Sequence, residues 1–351
     1  MLANIQPTEM PYSRAVHGLA VTLTLAVFPL IWVGGLVTTY DAGMAVPDWP
    51  NTYGYNMFAY PASTWLFGPF DLLVEHSHRL LGTVAGLLSI GLLIAAWLFD
   101  ARPWFKWWAI FVLLAVIAQG ALGGFRVLLD QRSFAMIHGC TGPLFFAIST
   151  ATAVMSSRWW LSRGSIVLQV SGEPQVSMGQ AQYTSPGAAR LAVALLIASY
   201  CQLIIGAQLR HITAAVDHGV FMAFVHTHLT LAALVVILAI CTSTVTGLNR
   251  RTPRRVSFPA ILIAVLVLIQ ISLGIATWIV NYSLPWQELS GWLAGYTISA
   301  KGYWESFIVT AHMATGSLII SLATVTALRA WRSRGSVVPK EVNRKWKQQL
   351  A

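Results

Sequence analysis

The residues with the most chemistry to offer are histidines that recur at matched places. Glu75-His76-Ser77-His78-Arg79 stands at the head of a long apolar run, and Val225-His226-Thr227-His228 stands at the head of another about 150 positions later. Each is followed by a further histidine heading an apolar run, in Ile137-His138-Gly139-Cys140-Thr141-Gly142 and in Ala311-His312-Met313-Ala314-Thr315-Gly316. Two imidazoles from facing helices are what a six-coordinate haem iron takes, one neutral nitrogen on each axial face. Zinc instead prefers four ligands in a tetrahedron. A lone histidine in an apolar run is more often a hydrogen-bonded packing residue. Four at repeated positions read as ligands, because ionisable side chains are costly in a membrane and usually functional there. His78 with His138, and His228 with His312, are therefore expected to form two buried haem-iron sites.

The two halves differ in one acid. Glu75 lies three residues before His78, whereas Val225 holds the matching place before His228. Positions i and i+3 share neighbouring faces of a helix. A carboxylate beside a haem edge can move a proton or stabilise positive charge on a substrate carbon. A solvated helix-start residue favoured by the helix dipole is the competing reading. The absence of the acid at Val225 points to catalysis in the first half and to a stored or electron-transferring haem in the second. His76 and His226 sit two positions before a ligand and face another way, as packing residues, alternative ligands or propionate partners. His17, His211 and His218 read as interfacial. Arg79, Arg126, Arg132 and Arg210 read either as counter-ions to haem propionates, since guanidinium pairs well with carboxylate, or as interfacial side chains that snorkel.

These residues need a membrane scaffold. The 351-residue chain is 56% hydrophobic and 10% charged, with mean hydropathy +0.65, too little charge to coat a soluble globule of this size. Eight apolar runs are long enough to cross a bilayer, at about 15–38, 76–99, 105–125, 134–157, 190–209, 219–247, 256–281 and 306–330. In lipid every backbone group needs an internal partner, so helices follow. The first run is too long for a signal-peptide core and reads as a retained span. The net charge of +10 and pI of about 9.9 would suggest nucleic acid in a soluble protein. Here the bases sit in short loops, near Arg102 and Lys106, Arg158 and Arg163, Arg250 to Arg255 and from Arg329 to Lys347. That pattern orients the chain with both termini cytoplasmic and the histidines toward the outer face, and disfavours nucleic acid. Trp49, Tyr60, Trp104, Trp107, Trp108, Trp159, Trp160 and Trp286 suit interfacial belts. Cys140, Cys201 and Cys241 form no spaced pair and read as packing residues.

An internal repeat organises the spans. Gln119-Gly120-Ala121-Leu122-Gly123 recurs as Gln270-Ile271-Ser272-Leu273-Gly274, and Ile31-Trp32-Val33-Gly34-Gly35 resembles Leu203-Ile204-Ile205-Gly206-Ala207. The expected fold is an all-α polytopic membrane protein, eight helices as two pseudo-symmetric four-helix bundles. Its expected parts are 1–161, a cytoplasmic linker at 162–189, 190–331, and a basic cytoplasmic tail at 332–351. Gly34, Gly35, Gly120, Gly123, Gly124, Gly206 and Gly274 read chiefly as small residues that let helices approach.

Over essentially all eight runs the chain resembles the haem A synthase family. The likeness rests on Glu75, His78, Arg79 and Gly82, on His138, His228 and His312, and on Gly34-Gly35 leading through Asp41-Ala42-Gly43-Met44 to Asp48-Trp49-Pro50. The resemblance implies oxidation of a ring methyl of haem O to the formyl group of haem A by successive hydroxylations. It implies substrate haem between His78 and His138 with Glu75 as the essential acid, and a haem b between His228 and His312. Arg79 and Arg126 would face the haem. It further implies a bacterial plasma membrane, a haem O synthase as supplier, a haem-copper oxidase as recipient, and leaves a homo-oligomer open. Some members carry cysteine pairs in outer loops one and three; this chain has none there, so a thiol-dependent step in those loops cannot apply. The competing classes are a dihaem b-type carrier oxidising quinol and, more weakly, a transporter built on a parallel repeat.

Overall fold

The computed structural model describes residues 12–162, 183–212, 216–282 and 302–334. Most of the expected linker, nearly all of the outer loop between Asn281 and Glu305, and the tail beyond 334 lie outside those residues. The helices are α1 (Arg14–Thr39), α2 (Ala62–Leu66), α3 (Phe70–Phe99), α4 (Pro103–Leu129), α5 (Arg132–Met155), α6 (Arg158–Ser162), α7 (Pro186–His211), α8 (His218–Leu248), α9 (Arg254–Tyr282) and α10 (Tyr303–Arg332). All but the short α2 and α6 are long and apolar enough to cross a membrane, eight spans as expected. The chain is a multi-pass helical membrane protein.

Local signals set several helix starts. Ser13 and Ser185 cap α1 and α7 by accepting N–H bonds from Val16 (3.3 Å) and Ala188 (3.2 Å), and Asp217 caps α8 through Gly219 (2.8 Å). Proline opens α4 and α7, where no intrahelical N–H is lost. Two boundaries differ from the hydropathy reading. Helix α7 begins at Pro186 rather than at 190. Just before it, Tyr183 and Thr184 donate N–H bonds to Arg251 O (3.0 Å) and Ser333 O (2.9 Å). Helix α3 begins at Phe70 rather than at 76, because its first turns carry Asp71, Glu75 and His76, which hydropathy scores as loop.

Helices α1, α3, α4 and α5 pack around a closed ring of neighbours, and α7, α8, α9 and α10 do the same in the same order. Leu23, Val27, Leu92, Phe105, Val112 and Phe145 fill the first core, and Leu195, Ala239, Ile263 and Ile319 the second. Large apolar side chains such as Leu25, Leu87, Trp107, Leu229 and Leu268 turn outward, where lipid would cover them. Between the rings, α1 and α5 meet α10, and α5 meets α7. Small and hydroxyl residues make that seam: Thr150 bonds Ser321 (2.8 Å) and Thr39 bonds Thr310 (3.2 Å).

His78, His138, His228 and His312 all lie in the first turns of their helices, at the same end of the molecule. The expected inner loops gather at the opposite end. There Arg102 pairs with Asp100 (2.7 Å), donates to Met155 O (2.9 Å) and lies over Phe105, and His17 bonds Ser156 (3.1 Å).

Candidate paired-histidine site

The ring centres of His78 and His138 lie 6.1 Å apart, and those of His228 and His312 lie 6.5 Å apart. With metal–imidazole bonds of about 2 Å and ring centres about 1 Å behind their nitrogens, two axial imidazoles on one metal hold their centres about 6 Å apart. In the first pair the tautomer suits that role too. His78 Nδ1 faces the backbone oxygen of Leu30 (3.2 Å) and His138 Nδ1 faces that of Gln119 (3.1 Å). Each Nδ1–H donates to a carbonyl, which leaves the Nε2 lone pair free and raises its basicity. The second pair differs in detail. His228 Nε2 lies 3.2 Å from Gln202 Nε2, and Nδ1 of His228 and of His312 are buried without a hydrogen-bond partner. Spacing and donor type fit haem at these pairs, most closely at His78 and His138, whose Nε2 atoms are left free.

Each of the four rings rests on a glycine of the neighbouring helix. A Cβ built on Gly34 would lie 2.6 Å from Cε1 of His78, and one on Gly123 would lie 3.3 Å from Cε1 of His138. On Gly206 and Gly274 it would lie 3.1 Å from Cε1 of His228 and His312 respectively. These glycines were expected to serve helix approach; they also provide flat seats for the imidazoles. Gln119, noted only as part of a repeat, holds His138 twice, through its carbonyl and by donating from Nε2 to His138 O (2.9 Å). Gln119 Oε1 accepts from Thr141 (2.7 Å). A Cβ on Gly142 or Gly316 would lie 3.2 Å from Nε2 of Gln119 or Gln270, so glutamine and its two glycines recur together. The recurrence of Gln119 and Gly123 as Gln270 and Gly274 was the signal that marks them.

Glu75 is no solvated helix-start residue. It is 3% exposed; Oε1 pairs with Arg79 (2.8 Å) and Oε2 accepts the Val46 N–H (3.0 Å). Arg79 extends the network to the loop after α1, donating to Val46 O (2.8 Å), Asp48 O (2.7 Å) and Asn51 O (2.9 Å). These bonds, with the Glu75 pair, engage both terminal nitrogens of the guanidinium. His76 faces away from the ligand pair. It is buried, bonds Thr52 (3.3 Å) and packs between the tilted rings of Trp65 and Tyr60, with centres 4.8 and 5.6 Å away. The loop crosses to α4, where the Trp49 ring lies 2.6 Å from a Cβ built on Gly124 and Gly43 abuts the Arg126 guanidinium. Arg126 is also within electrostatic reach of Glu75 and Asp41.

Inside the loop, Asp48 accepts N–H bonds from Tyr53 and Gly54, both 2.8 Å. Gly54 takes the left-handed backbone, φ 78°, that this turn needs. Burial alone would push the Asp48 carboxyl up, but the two N–H bonds and the Arg79 charge outweigh it and hold it below the usual range. Burial, then Tyr60 and nearby acids, push the Tyr53 hydroxyl up; it donates to Ala45 O. Arg210 crosses from α7 to bond Gly35 O (2.8 Å), Thr39 Oγ1 and Met313 Sδ (3.4 Å). His226, the counterpart of His76, is exposed.

The described residues form a helical membrane bundle that brings two pairs of histidines together. The chain belongs to the cytochrome oxidase assembly protein family, whose model matches residues 17–225. It is also similar to the heme A synthase of Symbiobacterium thermophilum, 26% identical over 206 residues that cover 58% of this chain and 61% of that protein. The stretch matched by the family model holds Glu75, His78, Arg79, Arg126 and His138 and ends three residues before His228.

Proposed function

We propose that this protein is a haem A synthase, oxidising a ring methyl of haem O to a formyl group by successive hydroxylations. The observation that carries this reading is the His78–His138 pair, 6.1 Å between ring centres, with each Nδ1 placed to donate to a backbone carbonyl. Family membership and the heme A synthase relative add the substrate class. On this reading haem O lies between His78 and His138, and a resident haem b between His228 and His312 supplies electron transfer when bound. His78 and His138 would hold the substrate macrocycle, and Gly34 and Gly123 seat their rings against α1 and α4. Glu75 is the acid of the first site, one helical turn from His78, and Arg79 holds its carboxyl in place through a 2.8 Å pair. Arg126, on the loop side of α4, is a partner for a propionate. The positive-inside pattern puts these sites toward the outer face of a bacterial plasma membrane with both termini cytoplasmic. A haem O synthase as supplier and a haem-copper oxidase as recipient complete the reading.

The test is haem extraction and mass analysis after expression with a source of haem O. Wild type should yield hydroxylated or formyl haem, and Glu75→Ala should retain haem while its product falls by roughly a hundredfold or more, the usual contribution of an acid–base group. Folded, haem-loaded wild type that contains only haem b would sink the proposal.

A further inference from the structure

We propose that Arg79 and Glu75 are the clasp of a lid, positioning residues that hold the loop of residues 41–56 closed over the His78–His138 pair. The bonds that tie Val46, Asp48, Asn51 and Thr52 to α3 come from one short stretch. Arg79 takes the carbonyls of Val46, Asp48 and Asn51, Glu75 takes the Val46 N–H, and His76 bonds Thr52. On the far side Trp49 lies on Gly124, the residue beside the glycine that seats His138. The loop therefore spans from the helix carrying one ligand to the helix supporting the other.

The second half lacks the device as a set. Val225 and Leu229 occupy the places of Glu75 and Arg79, and the connection from α7 to α8 runs only from Ile212 to Asp217. The acid and the long loop occur together, and are missing together. This gives the asymmetry of Glu75 a cause independent of proton transfer: a site under a clasped loop exchanges its bound molecule through loop opening. The inference rests on the paired-histidine reading for what lies under the loop, but not for the clasp itself.

Hydrogen–deuterium exchange of the full chain in detergent tests it. Amides of 43–54 should exchange roughly tenfold faster or more in Arg79→Gln and in Val46→Pro, with α3 and α4 protection unchanged. Val46→Pro removes the N–H that Glu75 accepts together with a buried side chain, and strains Ala45. Arg79→Lys keeps a charge beside Glu75 but cannot reach three carbonyls at once, so it decides the matter where Arg79→Gln fails to fold and should also speed loop exchange. Glu75→Gln can keep only one of the two bonds, its amide nitrogen facing either Arg79 or the Val46 N–H, and should speed loop exchange less than Arg79→Gln does. In a His228→Ala background, which leaves the first pair, haem loss to excess apomyoglobin should quicken in the same variants that open the loop. Unchanged loop exchange in both Arg79→Gln and Arg79→Lys would overturn the clasp. Faster loop exchange with unaltered haem loss would overturn its role as a cover. The exchange arm needs no haem, so its failure is distinct from failure of the haem A synthase reading.

Discussion

The imidazole seats show how little room the ligand residues have. His78 cannot retreat from a side chain at Gly34, because its Nδ1 is held by Leu30 O and a Cβ there would come within 2.6 Å of the ring. Gly34→Ala should displace the ring and cost about 1–3 kcal/mol of overpacking, read as loss of the first haem in the absorbance spectrum with the second retained. Gly274→Ala, with 3.1 Å to His312, needs a shift of only a few tenths of an ångström. It should lower haem occupancy far less; equal loss in both variants would show that the seats do not act locally. Glu75 and Arg79 are constrained in a different way. With side chains 4% and 8% exposed, neither can lose the other cheaply, since an unpartnered buried charge costs about 3–5 kcal/mol.

At the scale of elements, the loop after α1 carries its own pH dependence. The Asp48 carboxyl is held below the ordinary carboxylate value of about 4 by bonds that only the ionised form makes well. A group with a depressed folded pKa contributes stability that is present above its unfolded value and lost as pH falls through the folded one. Loop order should therefore be flat from neutral pH down to about pH 5 and fall below about pH 4, measured by proteolysis at Tyr53 and Tyr55 or by Trp49 fluorescence. Asp48→Asn should move the wild-type loss to neutral pH in part, since an amide oxygen still accepts one N–H. A loop that opens at the same low pH in both proteins would assign the transition to another group.

The whole molecule is held as one by a polar seam. Arg210 reaches across it, a second-half guanidinium whose partners Gly35 and Thr39 belong to the first half. Hydrogen bonds from a charged group contribute about 1.5–3 kcal/mol each, so Arg210→Leu should lower the thermal midpoint in detergent by several degrees while both histidine pairs keep their haem. Loss of one haem with an unchanged midpoint would instead make Arg210 part of a haem site.

Eight spans and the meeting of His78 with His138 and of His228 with His312 were legible in the sequence, because hydropathy and a duplicated pattern depend on residue type and spacing alone. So was the family, from Glu75, His78 and Arg79 with the loop that follows Gly34-Gly35. The start of α3 was not legible, since Asp71, Glu75 and His76 look like loop until the loop itself buries and bonds the last two. The part Gln119 plays was not legible either, for a glutamine next to glycines acquires a role only when α5 brings His138 onto it. Most of all, the sequence by itself marked Glu75 as the one acid of its kind and determined that it lies one turn from His78. Only the tertiary structure decided that both of its oxygens are already engaged, because the Arg79 guanidinium and the Val46 N–H come to it from different parts of the chain, and hydrogen bonding depends on position in space.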